Sequence, residues 1–276
     1  MGEEKFSNKI FWYNRAGRQP GRGLVFLFMA TLTPTTLLIS AAVFAAAFLF
    51  ALAGHTGASA YLAIFGLAGM TPDTIKPTVL SLNVVVGSVA VYKFARAGHF
   101  SWRLIWPFIL TSIPFSFLGG LISLPTPIYR ILVAVVLIYA ASRMLFDVPN
   151  KNGNSPDFPP IWLSLLLGAG IGFTAGLIGI GGGILLSPIL LLTGWAGPQL
   201  TAGTIAVFVL VNSISGLLGH WTASMQLPAQ LSIWGAVALV GGWIGAEIGS
   251  RRLSANFLRR MLGLILMVSG LRMFFL

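Results

Sequence analysis

Long apolar runs with few polar positions dominate the chain and predict membrane-spanning helices. No Asp, Glu, Lys or Arg occurs between Arg22 and Asp73, or between Asp157 and Glu247. Uncharged apolar runs of about 18 residues or more are typical of transmembrane helices. The apolar segments fall at about 24–53, 58–70, 75–95, 103–123, 127–146, 161–178, 183–194, 199–219, 229–250 and 254–275. We therefore expect an all-α polytopic membrane protein.

Two of these segments, 58–70 and 183–194, are too short to cross a bilayer unaided. Each follows a glycine-containing turn, "AGHTGAS" at 53–59 and "GLIGIGGG" at 176–183. Unwound backbone is tolerated within a membrane only where it is buried in protein or lines a wet cavity. The pattern predicts glycine-broken half-helices near the membrane midplane, each joined to the segment before it.

The two halves of the chain resemble each other. "YRILVAVVLIYAASRMLF" at 129–146 matches "LRRMLGLILMVSGLRMFF" at 258–275, and "FLFALAGHTGAS" at 48–59 matches "FTAGLIGIGGGI" at 173–184. The offsets are 258 − 129 = 129 and 173 − 48 = 125 residues. Duplicated halves are characteristic of secondary transporters. The predicted organisation is a basic interfacial tail (1–22), a first transmembrane repeat (23–146), a polar linker (147–160) and a second transmembrane repeat (161–276).

Two topologies stay open. If the short segments count as crossings, each half has five and the repeats are inverted. The basic clusters at 93–103, 143–151 and 251–260 then all face the cytoplasm, as the positive-inside rule prefers, but the basic tail lies outside. If each broken pair counts once, each half has four crossings and the repeats are parallel, with the 251–260 cluster outside. We favour the inverted arrangement.

The charge balance is strongly basic, with 17 Lys and Arg against 6 Asp and Glu and a net charge of +11. Most basic residues lie between apolar runs, where they anchor the topology. Basic residues do not form a stripe with interleaved aromatics, so we expect no nucleic-acid partner. The excess positive charge suits an anionic ligand. The chain has no cysteine, which excludes disulfides and thiolate chemistry.

The glycine turns are candidate anion sites. A half-helix that begins inside the protein presents free N–H groups and a positive dipole end, and glycine lets a small oxyanion approach the backbone. Polar residues in matching places of the two halves would add neutral donors. The candidate substrate-binding residues are Gly54, His55, Thr56, Gly57, Thr78, Ser81, Asn83, Gly179, Gly181, Gly182, Gly183, Thr204 and Asn212.

Each candidate also has a purely structural interpretation. The glycines can serve close helix packing, and the hydroxyls and amides can join helices by hydrogen bonds worth ~0.6 kcal/mol on average. His55 is either an anion- or proton-binding group or a neutral core histidine. Glu247 and Arg251 have the i,i+4 spacing of a structural ion pair, which we favour over a proton-coupling role for Glu247.

The sequence does not favour an enzyme. It has no paired-carboxylate site, no His-x-x-x-His and no metal-ligand cluster, and no Lys follows the glycines as in a phosphate-binding loop. We expect no catalytic residues, no cofactor and no bound metal.

The stretch "GFTAGLIGIGGGILLSPILLLTGWAGPQLTAGTIAVFVLVNSISGLLGH" at 172–220 resembles the TauE/SafE (sulfite exporter) family of membrane anion transporters. The first half is similar to the family's weaker repeat, and the resemblance covers roughly 36–275. The departure is at 54–59, where His55, Thr56, Ala58 and Ser59 interrupt the glycine run. The resemblance implies transport of sulfite, organosulfonates or other small organic anions.

These observations together predict a secondary transporter in a bacterial cytoplasmic (inner) membrane. It would move sulfite or sulfonates, such as sulfoacetate or taurine-related anions, by alternating access around the paired glycine turns. A channel or carrier for another small anion and a non-transporting membrane scaffold are the alternatives. The expected partners are the small anion and the lipid bilayer, and a homodimer stays open.

Overall fold

The structure is a computed structural model that describes residues 33–145, 158–224 and 227–252, together with four residues between 264 and 271. Nine α-helices account for these three ranges, which contain no strand, so the all-α prediction is confirmed. The helices are α1 (Pro34–Leu52), α2 (Ala58–Leu67), α3 (Pro72–Arg96), α4 (Trp102–Leu121), α5 (Thr126–Leu145), α6 (Ile161–Ile178), α7 (Gly183–Thr193), α8 (Pro198–Ser224) and α9 (Leu231–Arg252).

Six of the described helices, α1, α3, α4, α6, α8 and α9, are long and apolar enough to cross a membrane. Their outward faces are apolar as well. Leu38, Trp162 and Leu166 are each more than 60% exposed, a surface that suits lipid rather than water. The chain is thus an integral membrane protein. The predicted tail 1–22, most of the linker and nearly all of segment 254–275 lie outside the described residues.

The glycine turns break the helices where the sequence predicts. Helix α1 ends at Leu52 and α2 begins at Ala58, while α6 ends at Ile178 and α7 begins at Gly183. Gly57 and Gly182, which precede α2 and α7, have φ of 92° and 81°. Backbone with such φ values strongly favours glycine, because a Cβ would clash with the following carbonyl oxygen.

Small residues let two pairs of helices pack with their backbones close together. Helix α6 packs along α4, and α9 packs along α1. The facing pairs are Gly168–Phe108, Gly172–Ser112, Gly176–Ser116, Gly241–Phe44, Gly245–Phe48 and Gly249–Leu52. Residue numbers increase together in each series, so the two helices of each pair run parallel.

Helices α3 and α8 cross the middle of the protein in opposite directions. Gly87 faces Leu210 and Gly216 faces Leu80, while His220, near the end of α8, contacts the Asp73 carbonyl 3.3 Å away at the start of α3. Helices at matching places in parallel repeats would run in the same direction, so these contacts favour the inverted arrangement. The internal repeat itself stays a prediction.

The two ends of the bundle are named here by residues of α3. At the Lys93 end, the Lys93 ammonium forms an ion pair with Glu247 of α9 at 2.5 Å and lies 4.0 Å from the Trp243 ring centroid. At the Asp73 end, α3 begins and α8 finishes. Lys93 is one partner of Glu247. The side chain of Arg251, its expected partner, lies outside the described residues, so that pair stays a prediction.

Candidate functional site

The two helix breaks meet at one cavity. The first break and the helices beside it supply Phe50 and residues 55–58, and the second break supplies Ile180, Gly183 and Ile184. Val209 of α8 also lines this cavity. The structure therefore brings together two turns that are about 125 residues apart in the chain. Of the predicted site residues, the cavity is lined by His55, Thr56, Gly57 and Gly183.

Two half-helices begin at this cavity and lead away from it toward opposite ends of the bundle. Helix α2 runs toward the Asp73 end, where Phe65 packs 4.9 Å from Trp234 near the start of α9. Helix α7 runs toward the Lys93 end, where α8 begins. Neither Gly57 nor Gly182 offers a side-chain cap. The first residues of both helices, Ala58 of α2 and Gly183 and Ile184 of α7, line this cavity. The N–H groups at a helix start lack acceptors within the helix, and they carry its positive dipole end.

A polar pair holds the first break against α3. The Thr56 hydroxyl donates to the Asn83 Oδ1 atom at 2.7 Å, and Asn83 is fully buried. Within the described part of the chain, the Asn83 Nδ2 atom has no hydrogen-bond acceptor. Because Oδ1 is occupied by the hydroxyl, the amide is oriented with its two donors available to a ligand.

His55 contributes the imidazole at the cavity wall. The residue is 8% exposed, and its Nδ1 atom lies 3.0 Å from the Ala53 carbonyl oxygen. Its buried Nε2 atom has no partner among the described residues. A ring that donates from Nδ1 presents Nε2 as an acceptor when neutral and as a donor when protonated. His55 can therefore serve an anion only in its charged form.

The second break brings its own polar neighbours. A Cβ atom placed on Gly181 would lie 2.8 Å from the Ser213 Oγ atom and 3.3 Å from the Asn83 Nδ2 atom. The hydroxyl of Ser213 and the amide of Asn83 thus converge on bare backbone at this turn. Any side chain at residue 181 would fill the space between them. Glycine here keeps the backbone open to these donors.

Several of the predicted polar residues instead donate hydrogen bonds to backbone carbonyls of their own helices. Thr78 donates to the Thr74 carbonyl at 2.6 Å, and Ser81 donates to the Pro77 carbonyl at 2.7 Å. Asn212 donates from Nδ2 to the Phe208 carbonyl at 2.8 Å. None of the predicted residues Thr78, Ser81, Asn83, Thr204 and Asn212 is among those that line the cavity. Asn83 lies behind this lining, with Oδ1 bonded to Thr56 and Nδ2 beside Gly181 of the second break.

The remaining predicted glycines lie at the edges of the breaks. A Cβ atom on Gly54 would lie 2.5 Å from the Ala202 side chain, and one on Gly179 would lie 3.3 Å from the Lys76 Cα atom. Gly182 is packed against the Phe208 ring. These three glycines let the turns approach α3 and α8 closely, as the packing interpretation of the glycines predicts.

The cavity has room for about one water molecule in this state. An oxyanion with three or four oxygen atoms needs a larger space. The cavity in this structure is therefore too small for such an anion, which fits only if the two breaks or α8 move apart.

The family model of the sulfite exporter TauE/SafE matches residues 39–273. The chain belongs to the TauE/SafE family. A probable membrane transporter protein, y4hK, from Sinorhizobium fredii is 39% identical over 238 residues, which cover 85% of this chain and 96% of that protein. A probable membrane transporter protein from Methanocaldococcus jannaschii is 28% identical over 231 residues, or 76% of this chain and 83% of that protein.

A more distant relative, the sulfite exporter TauE/SafE family protein 2 of Arabidopsis thaliana, is 34% identical over 77 residues, which are 28% of this chain and 17% of that protein. No solved structure is a significant match. The chain is thus a membrane transporter of the TauE/SafE type. The names of its relatives agree with the expectation that it is not an enzyme.

The structure of this TauE/SafE transporter adds residues that sequence reasoning missed. Phe50, Ile180, Ile184 and Val209 line the cavity, but nothing distinguishes them from other apolar residues in the sequence. Lys76 had a clear signal, because a lysine inside an apolar segment is rare and expensive in lipid. It lies beside the second break and is buried.

Proposed function

We propose that this TauE/SafE protein is a secondary transporter of small sulfur-containing oxyanions, sulfite or organosulfonates, across a bacterial cytoplasmic membrane. The anion is held where the two helix breaks meet. The observation that carries this proposal is the cavity shared by the first turns of α2 and α7, next to Thr56 and the oriented amide of Asn83. The choice of sulfur anions rests on the family.

The physical case for an anion is that this site is rich in donors. A helix start favours an anion by ~0.3–1 kcal/mol, and by up to ~2 kcal/mol when partly buried. Each hydrogen bond to a charged group adds about 1.5–3 kcal/mol. Two helix starts and two such bonds reach the ~4 kcal/mol that a millimolar dissociation constant requires, without a buried arginine. Moderate affinity suits a carrier, which must also release its substrate.

Alternating access follows from the opposed half-helices. The α1–α2 and α6–α7 pairs lead to the cavity from opposite ends of the bundle, and the cavity is too small for an oxyanion in this structure. Moving one pair relative to α3 and α8 would open the site to one end while the other pair keeps the other end closed. Transporters with inverted repeats commonly rock in this way around a midplane site.

The test starts with purified protein and compares sulfite, sulfoacetate, taurine and a carboxylic acid by thermal shift. We expect sulfite or a sulfonate to raise the midpoint of unfolding more than the carboxylate does. Proteoliposomes then measure counterflow, in which trapped unlabelled anion accelerates uptake of labelled anion. A carrier shows counterflow and saturation, whereas a channel shows conductance without counterflow and a scaffold shows neither.

A glycine variant links binding to the second break. Leucine in place of Gly182 meets the Phe208 ring at 2.8 Å and must adopt a positive φ, so Gly182→Leu is expected to abolish anion-dependent stabilisation. Gly197→Leu is the matched control, because nothing lies within 4 Å of a Cβ atom there. Wild type that no anion stabilises, together with normal behaviour of Gly182→Leu, would refute the proposed site.

A further inference from the structure

Lys76 is a buried cation in a membrane-spanning helix. Its side chain is 1% exposed and lies about one turn after α3 begins at Pro72. Among the buried residues that the structure describes, it is the only Asp, Glu, Lys or Arg. Charged residues are expensive inside a membrane, and those that occur typically mark the path of an ion or substrate.

The Lys76 ammonium has few partners for its charge. It donates to the Ile122 carbonyl oxygen at 2.9 Å and lies 5.5 Å from the centroid of the Tyr129 ring. Within the described ranges, no carboxylate oxygen lies within 4 Å of it, Asp73 included. An ammonium has three N–H donors. A backbone carbonyl and a ring face are neutral partners, and the Asp73 carboxylate acts on the ammonium only from beyond 4 Å, so the buried charge has no counter-ion in direct contact.

The position of Lys76 ties it to the second break. Its Cα and Cβ atoms are 3.3 and 3.5 Å from where a Cβ atom on Gly179 would lie. Tyr129 donates to the Ile178 carbonyl, the last residue of α6, at 3.0 Å. Lys76 is seven positions before Asn83, or about 10 Å along the helix at 1.5 Å per residue. The cation therefore lies between the Asp73 end and the donors beside the cavity.

The comparable place at the first break is uncharged. Gly54 packs against Ala202 as Gly179 packs against Lys76. The predicted alignment pairs Gly54 with Gly179, at 179 − 54 = 125 residues, and Ala202 follows Lys76 by nearly the same distance, 202 − 76 = 126 residues. The positive charge thus stands at one break and not at its counterpart. A purely packing role would be served by a small side chain, as it is at Ala202.

We propose that Lys76 is a second anion-binding group, which pairs with the transported oxyanion between the Asp73 end and the central cavity. This inference rests on the proposed function. In this structure the Lys76 ammonium donates to the Ile122 carbonyl oxygen. When the Asp73 end opens, the anion replaces the Ile122 carbonyl oxygen as the acceptor of the ammonium and supplies a negative charge in direct contact with it. The anion then moves from Lys76 to the donors near Asn83, about 10 Å further along α3.

The kinetic test uses proteoliposomes and compares Lys76→Met with Lys76→Arg. Loss of the charge is expected to raise the KM for sulfite at least about tenfold, while Lys76→Arg stays within roughly threefold of wild type. Lys76→Met should keep the anion-dependent thermal shift, because the central cavity is intact. The control is Lys93→Met combined with Glu247→Gln, which removes a charge from the same helix together with its partner.

The outcomes separate the two proposals. Wild type that neither binds nor transports any of the anions overturns the proposed function, and this inference with it. Wild type that transports sulfite while Lys76→Met keeps the wild-type KM overturns the role of Lys76 alone. Recovery of the KM by Lys76→Arg supports a charge effect, and a Lys76→Arg as poor as Lys76→Met contradicts it.

A second measurement needs no variant. Wild-type proteoliposomes are pulsed with acetic anhydride, and acetylation of Lys76 is compared with that of Lys151 by peptide mass spectrometry, with sulfite or with gluconate at equal ionic strength. We expect sulfite to lower the ratio of Lys76 to Lys151 acetylation, a ratio that corrects for any acetic anhydride that sulfite itself consumes. An equal ratio in both anions contradicts the proposal. Failure to label Lys76 in either anion contradicts it too, because the residue would then never be accessible from the transport path.

Discussion

Thr56→Val tests the hydrogen bond that links the first break to α3. Valine keeps the volume and branching of threonine but removes the hydroxyl that donates to the Asn83 Oδ1 atom at 2.7 Å. Asn83 is fully buried, so its carbonyl oxygen would lose its donor. A buried polar atom left without a partner costs about 1–3 kcal/mol. The free energy of unfolding should fall by that amount.

The effect on the anion follows from the orientation of the Asn83 amide. With the hydroxyl gone, nothing keeps Nδ2 directed at the ligand. The loss of one hydrogen bond to a charged group, about 1.5–3 kcal/mol, corresponds to a roughly 10- to 100-fold rise in the dissociation constant. Binding should therefore suffer in addition to stability.

The assay measures the dissociation constant for sulfite by thermal shift and the KM in proteoliposomes. Thr174→Val is the matched control, because its hydroxyl donates to the carbonyl of its own helix at Gly170. A double variant with Asn83→Leu should lose little more affinity than either single variant, since the two side chains act as a unit. Sulfite affinity that is unchanged in Thr56→Val, or fully additive losses, would refute the reasoning.

Three further predictions concern packing, the ion pair and the imidazole. Gly172→Ala should lower the free energy of unfolding by about 1–3 kcal/mol, because its Cβ atom would lie 2.6 Å from the Ser112 Cα atom. The control is Gly170→Ala, which should not lower it, because nothing lies within 4 Å of a Cβ atom there. Equal melting curves for the two variants would contradict this. Glu247→Gln should lower the free energy of unfolding by no more than ~1 kcal/mol and leave transport unchanged. A loss of proton-coupled uptake in this variant would instead support a proton-coupling role for Glu247. His55→Phe should raise the sulfite KM, and an unchanged KM would assign His55 to packing.

Much of the fold could be predicted from the sequence because lipid imposes strict rules. Segment 161–178 coincides with α6, and 183–194 differs from α7 by one residue. The glycine runs marked both breaks, because few other residues adopt the positive φ of Gly57 and Gly182. Uncharged length and glycine placement are local properties, and the sequence displays them directly.

The composition of the site was less predictable, because it depends on how distant segments meet. Thr78 occupies a matching place in the first half, yet its hydroxyl bonds to the carbonyl of Thr74 within its own helix, a local alternative that sequence spacing does not reveal. Thr56 finds Asn83, 27 positions away. Val209 became a wall of the cavity only through the antiparallel crossing of α3 and α8.

The central claim is that an oxyanion binds where the first turns of α2 and α7 meet. The most direct measurement is a structure of the purified protein with selenite, a heavier analogue of sulfite, with anomalous scattering recorded at the selenium edge. The account predicts one anomalous peak in the cavity near Thr56, with the selenite oxygens within hydrogen-bonding distance of backbone N–H groups in both first turns. Selenite bound with full occupancy elsewhere, with this cavity still closed, would contradict it.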